Sequence, residues 1–274
     1  MTRLQALSRQ SGTEAGSART PAALPPDASP GPARGVAPSP VPPGHAVLLM
    51  SRLRASAVPW AVWRLARGSR ALGPVPGLRF ARVLGSGREG GFGLEPGLDC
   101  QGVFAAFDSA EAAEDFALHS GVAAAYRERA LEHFSLTLEA TSCRGSWGGQ
   151  AMAPAADPLR HGPVAALTRA AIKPTRMREF WRHSPPAEAE LAAAPGCRLA
   201  VGLGEAPLLR QATFSLWDNV QAMDAYARNG AHQRAIRASW SGGYFSEWMF
   251  VRFRPLALRG RWHGRDLDPG GGLA

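Results

Sequence analysis

The sequence predicts an α+β protein assembled from two tandem copies of one unit. Two observations carry this. The first is an internal duplication. Pro76-Gly77-Leu78-Arg79-Phe80-Ala81 matches Pro195-Gly196-Cys197-Arg198-Leu199-Ala200, and Gly85 falls on Gly204. Further on, Phe104-Ala105-Ala106-Phe107-Asp108 matches Phe214-Ser215-Leu216-Trp217-Asp218, Phe116 falls on Tyr226 and Val122 on His232. The offset is 119 residues in the first block and 110 in the second, so the first copy carries nine extra residues in the glycine-rich stretch after Gly85. An earlier block aligns Ser51-Arg52 with Thr168-Arg169. The second observation is the order of apolar periodicities in each copy, which reads β-α-β-β-α-β.

In the first copy, residues 45–53 form an apolar strand and 57–71 a helix. Strands follow at 77–86 and 101–107. A helix at 109–118 has Ser109 as its N-cap and Ala113, Phe116 and Ala117 on one apolar face. A last strand spans 132–140, where Phe134, Leu136 and Leu138 alternate with Ser135, Thr137 and Glu139. The second copy predicts strands at 163–171, 197–204, 210–217 and 245–254. Its helices fall at 175–192, broken at Pro185-Pro186, at 218–228 with Asp218 as N-cap, and at 231–239. This order is the split βαβ of ferredoxin-like domains. Two four-stranded sheets packed face to face cover both apolar surfaces. The chain therefore reads as a dimeric-αβ-barrel-like domain with its two halves fused. The expected divisions are a disordered Pro/Ala-rich extension (1–44), a first repeat (45–150), a second repeat (151–262) and a flexible tail (263–274). Residues 1–44 contain no aromatic residue and cannot bury enough apolar surface to offset their chain entropy.

The 274 residues carry a formal charge of +9. Lys173 is the only lysine, and the arginines are scattered without a polybasic run. That pattern argues against nucleic acid as a partner. Cys100, Cys143 and Cys197 are far apart and form no CxxC pair, which excludes a zinc ribbon or disulfide framework and suits a reducing compartment. No apolar stretch is long enough to span a bilayer. A cytoplasmic protein is expected, at most peripheral to a membrane.

Three features could carry chemistry. The loop Gly85-Ser86-Gly87-Arg88-Glu89-Gly90-Gly91-Phe92-Gly93 is a flexible hairpin connection in its plain reading; Arg88 could also offer a fork to a carboxylate. A phosphate loop would need a helix after it, and a strand follows. His232 replaces an apolar residue of the first copy. It is either a surface or satisfied core histidine, or an axial ligand to haem iron. Gln233, Arg234 and Arg237 share its helix, and arginine there could pair with haem propionates or face water. Cys143, in the linker between repeats, is a small apolar residue or a fallback thiolate ligand. The remaining histidines show no metal spacing, and no hydrolase signature stands out.

In combination, several motifs resemble the spheroidene monooxygenase family of carotenoid biosynthesis. They are the Gly85–Phe92 loop, Ser146-Trp147-Gly148-Gly149-Gln150, Leu167-Thr168-Arg169-Ala170-Ala171-Ile172, Gly202-Leu203-Gly204-Glu205-Ala206-Pro207, Ala222-Met223 with Tyr226-Ala227, and Ser246-Glu247-Trp248-Met249-Phe250-Val251-Arg252-Phe253. The resemblance spans about residues 45–265. It implies a haem-dependent monooxygenase that uses O₂ and electrons from a reduced [2Fe-2S] ferredoxin. The substrate would be an acyclic carotenoid such as spheroidene. Two hydroxylations at C-2 and loss of water would give the ketone. With haem present, the repeat comparison makes His232 the residue that would hold the iron, and Arg88, Arg234 or Arg237 would hold the propionates. Phe214, Trp217 and Phe250 would divide between cavity wall and core. A lipid-dwelling substrate also makes peripheral membrane contact an expectation. The alternatives are a non-catalytic haem- or carotenoid-binding barrel and a haem-degrading monooxygenase.

Overall fold

The computed structural model describes residues 42–91, 96–206 and 209–267. Most of the expected N-terminal extension and of the tail lies outside these residues. The first copy consists of β1 (His45–Leu53), α1 (Val58–Arg67), β2 (Leu78–Gly87), β3 (Pro96–Phe107), α2 (Ala110–His119), α3 (Gly121–Arg129) and β4 (Ala130–Gly145). The second repeats the order with β5 (Val164–Ile172), α4 (Met177–Ala192), β6 (Cys197–Ala206), β7 (Arg210–Trp217), α5 (Val220–Arg228), α6 (Gly230–Ser241) and β8 (Phe245–Trp262). A two-residue β9 (Arg265–Asp266) follows.

The strands run β4-β1-β3-β2-β6-β7-β5-β8, and β4 pairs with β8 to close an eight-stranded antiparallel barrel. The expected pair of facing sheets is thus one closed surface. Its two seams differ. β4 and β8 pair from Phe134↔Gly260 to Gly145↔Met249. β2 and β6 meet at one register pair, Gly85↔Gly204, the two glycines that the duplication aligns. Ser86 Oγ donates to the Gly202 carbonyl at 2.5 Å and Arg82 pairs with Glu205 at 2.6 Å to fasten this thin seam.

Alternation decides what goes where. Leu48, Met50, Phe104, Leu136, Leu167, Phe214, Val251 and Phe253 fill the barrel interior. Val47, Leu49, Val103, Ala105 and Phe107 face outward beneath α1–α3, where Ala113, Phe116 and Tyr126 cover them. Ser109 caps α2 as expected, its hydroxyl accepting from the Ala112 N–H. The cap of α5 is Asn219, which accepts from the Ala222 N–H at 2.8 Å, and not Asp218. Asp218 is engaged by Arg198, as Asp108 is by Arg79. The Pro-Gly turns have a common cause too. Gly77 (φ +68) and Gly196 (φ +79) need positive φ, and a Cβ there would lie 2.8 and 2.7 Å from Ala112 and Ala222.

Two further expectations are corrected, and one element is added. α4 runs through Pro185-Pro186 as one helix; its packing on α6 and β6 outweighs the two missing N–H donors. Residues 263–267 belong to the fold, as a turn and β9. The stretch after α2 adds a helix, α3, capped by Ser120.

The long strands β4 and β8 each end in a tight turn that returns a buried tryptophan to one mouth of the barrel. Trp147 bridges to Gln150, and Trp262 pairs with Arg265. Trp147 stacks on Phe104 at 5.7 Å, and Trp262 meets Phe134 edge-on at 5.4 Å. A carboxylate from the other repeat holds each turn. Glu247 of β8 accepts from the Gly149 N–H at 3.0 Å, and Glu132 of β4 accepts from the Gly264 N–H at 2.7 Å. Arg169 pairs with Glu247 at 2.5 Å, and its repeat counterpart Arg52 pairs with Glu132 at 3.2 Å. Arg169 is 4% exposed and also reaches Glu205 at 3.3 Å. Burial pushes the Glu247 pKa up. The N–H groups of Gly149 and Gly148, the Ser146 hydroxyl and the Arg169 charge outweigh that, and the net shift is downward.

Removing Arg169 leaves two carboxylates facing a buried site. Arg169→Ala is expected to lower stability by about 3–5 kcal/mol, read from urea unfolding. The depressed Glu247 carboxyl gives a second expectation. Its contribution is complete above the ordinary glutamate pKa and is lost as pH falls through its lower folded-state value. Glu247→Gln should therefore flatten the acid limb of the stability–pH curve.

Candidate functional site

The two helical layers start from the same pattern and end differently. In the first copy Phe107 packs on Phe116, ring centroids 5.2 Å apart, and Val122 closes the stack. All three are buried. The duplication places Trp217, Tyr226 and His232 at these positions. Trp217 lies 5.4 Å from Tyr226, and Tyr226 stacks on His232 at 4.5 Å with 28° between planes. A three-ring ladder thus runs from the barrel wall through α5 to α6. Each ring now carries a polar atom where the first copy has hydrocarbon. The indole N–H of Trp217 donates to Ser215 Oγ at 2.9 Å.

The helices above the ladder also sit differently. α3 rests on β1 and β4, whereas α6 rests on α4 and α5 among the described residues. The sheet beneath responds. Ser51 on β1 is 0% exposed and hydrogen-bonds with His133 Nδ1 at 2.8 Å. Its counterpart on β5, Thr168, is exposed, and Trp248, Phe250 and Arg252 beside it on β8 are half-buried. Thr168, Trp248, Phe250 and Arg252 thus form a partly exposed strip on the outer face of β5 and β8. Asp224 of α5 holds Arg252 there at 2.8 Å.

His232 is half-buried. Burial lowers its pKa from 6.5 to about 4, against a smaller upward pull from Glu190. Its imidazole is therefore neutral near neutral pH, the form that binds metal. Gly230, at φ +62, starts α6 against Glu190, where a side chain would collide. Arg234 and Arg237 are exposed. Two and five residues beyond His232, they project from the opposite side of α6. Arg88 opens a 3-10 turn, Arg88–Gly90, at the end of β2, where Gly90 packs against Trp262. The structure thus does not gather Arg88, Arg234 and Arg237 around His232. Cys143 lies on β4 against the barrel interior, where its Sγ accepts from the Met152 N–H at 3.5 Å. Burial raises its pKa, which keeps it a thiol and not a thiolate. Phe214 is core, while Trp217 and Phe250 belong to the outer face under α5.

Among the described residues no three His, Cys, Asp or Glu side chains gather to hold a bare metal ion. His232 alone suits a metal that brings its other ligands with it, as haem iron does. The exposure of Thr168, which the duplication aligns with the buried Ser51, escaped the sequence reading.

Relatives named spheroidene monooxygenase resemble the chain over most of its length. The protein from Rubrivivax gelatinosus is 50% identical over 219 residues, 80% of this chain and 85% of that protein. The one from Rhodobacter capsulatus is 37% identical over 215 residues, 77% of this chain and 89% of that protein. Among solved structures, an aldoxime dehydratase (OxdRE) in complex with butyraldoxime superposes with a TM-score of 0.52 at 8% identity, covering 77% of this chain and 79% of that one. That likeness is one of fold. No protein-family model matches the chain.

The neutral histidines have a measurable consequence. Burial also lowers His133 to about 4, with Arg127 adding to the effect. Both imidazoles stay neutral in the folded protein while the unfolded chain takes up protons below about pH 6.5. Stability is therefore full above pH 6.5 and falls between 6.5 and 4, by at most about 1.4 kcal/mol per pH unit for each histidine. Replacing His133 or His232 with phenylalanine should remove one share of that slope in pH-dependent unfolding.

Proposed function

Because the chain belongs to the spheroidene monooxygenase family, we propose that it introduces a keto group at C-2 of an acyclic carotenoid, with haem bound at His232 of α6. The observation that carries the site is the replacement of Phe107, Phe116 and Val122 by Trp217, Tyr226 and His232 in one copy of a duplicated scaffold. The residues fit the cofactor. His232 offers a neutral imidazole, Tyr226 and Trp217 hold that ring in place, and Phe250 supplies an apolar wall. Haem, when bound, supplies oxidation of a C–H bond with O₂ and electrons from a reduced [2Fe-2S] ferredoxin.

The chain's own residues do the rest. Tyr226 fixes the imidazole plane by stacking. Burial keeps the ring unprotonated and ready to ligate. Arg252 is ion-paired with Asp224, and the exposed Arg234 and Arg237 of the same helix as His232 remain candidates to meet propionates. The half-buried Phe250 and Trp248 give the apolar surface that a polyene requires. The ketone requires the C-2 methylene to be hydroxylated twice and then to lose water. No helix among the described residues is long and apolar enough to cross a membrane. Access to a lipid-soluble substrate would then come through peripheral contact.

The test is spectroscopic first. The chain expressed with ample haem should show a Soret band, and His232→Ala should lose most of it. With spheroidene, O₂ and reduced ferredoxin, the wild type should yield the 2-keto product. A Soret band unchanged in His232→Ala would move the ligand elsewhere. Absence of haem in the wild type would favour a cofactor-free carotenoid carrier, and destruction of the haem itself a haem-degrading enzyme.

A further inference from the structure

The polarity of α1 is inverted. A surface helix normally buries apolar residues and exposes charge. On α1 the inward side carries Arg64, 6% exposed. The outward side carries Val62, Trp63 and Leu65, 50%, 52% and 37% exposed. The inward arginine is held by aromatic contacts and one hydrogen bond. Its Nε donates to Tyr126 Oη at 3.3 Å, and its guanidinium lies 5.1 Å from the centroids of both Trp60 and Tyr126. The Tyr126 hydroxyl donates to Gln101 Oε1, and Gln101 Nε2 donates to the Ala61 carbonyl at 2.8 Å. This network clamps α1 to β3 and α3. The exposed apolar side is thus a fixed platform, not a frayed segment.

The charge around it has one sign. Residues 45–88 contain eight arginines and no aspartate or glutamate. Arg52, Arg79 and Arg82 are paired with acids from elsewhere, and Arg64 is buried. Arg54, Arg67 and Arg70 are exposed around the platform, with Arg67 5.0 Å from the Trp63 ring centroid. Glu128, the acid beside Arg54, pairs with Arg129. The counterpart helix α4 lacks this character, since Glu179, Glu188 and Glu190 lie along it.

We infer that the outward face of α1 docks on an anionic lipid bilayer, Trp63, Val62 and Leu65 entering the interface and Arg54, Arg67 and Arg70 meeting lipid phosphates. An exposed indole flanked by cations and aliphatic side chains suits the boundary between headgroups and acyl chains. A second copy is a poor occupant, because a two-fold contact would set arginines against arginines. An acidic protein is the other occupant the charge allows, and it predicts no flotation with anionic vesicles. The inference extends the proposed function without depending on it, because it needs neither haem nor carotenoid.

The test is flotation of the full chain with phosphatidylcholine vesicles, with and without phosphatidylglycerol, at low and high salt. The chain should float with the anionic vesicles and be released by salt. Each arginine replaced should weaken partition about fivefold. Arg67→Gln with Arg70→Gln, and separately Val62→Ser with Trp63→Ser, should lose binding while keeping the wild-type circular dichroism. Arg176→Gln with Arg178→Gln, on the other repeat, should keep it. Equal flotation of all three variants, or no flotation of the wild type, overturns the inference. So does a concentration-dependent dimer, seen by sedimentation, that the α1 variants abolish.

Discussion

Glu247 and Glu132 hold the two ends of the barrel, each gripping the turn that ends the other repeat. The exchange matters because β4 and β8 are the only long seam between the copies. Antiparallel pairing alone leaves such a seam open to slippage, since a shift of one residue moves every side chain to the other face. A carboxylate that accepts from one particular backbone N–H beyond the strand end pins the register. The indoles of Trp147 and Trp262 can plug the mouths only in that register. Burying the charges is costly, and the cost is met by partners on every side: Arg169 for one carboxylate, Arg52 for the other. Once both ends are held, the interior packs as one core and the opposite seam can remain thin.

On this closed frame the two helical layers are free to differ. The first buries Phe107, Phe116, Val122 and a hydrogen-bonded Ser51. The second has traded hydrocarbon for indole, phenol and imidazole in register, and its last helix leans on α4. His232 is neutral because it is largely enclosed, and it stands where the first copy keeps a valine.

Much of this was legible in the chain. The duplicated Pro-Gly turns, the aligned Gly85 and Gly204 and the alternation around Phe134 all reflect local rules, and those rules survive folding. The helix Gly121–Arg129 was not legible, because Gly-Val-Ala-Ala-Ala has no polar face against which to read a period. Nor was the continuity of α4 through Pro185-Pro186, where tertiary packing overrides a strong local signal. The motifs around Ser146, Arg169 and Glu247 are separate in sequence, and only the closed barrel shows them to be parts of one clasp. The arginines near His232 share its helix but not its face, because residues two and five apart project in different directions.

The linker between Gly145 and Val164 joins what would otherwise be two separate subunits. In a symmetric pair every substitution is written twice, and a residue useful at one position must be tolerable at both. Fusion removes that constraint. One half can acquire a histidine while the other keeps its valine, and the arginine-rich face of α1 need not be repeated on α4. The stoichiometry follows: whatever the second half binds, it binds once per barrel, and the first half serves as a scaffold with a surface of its own.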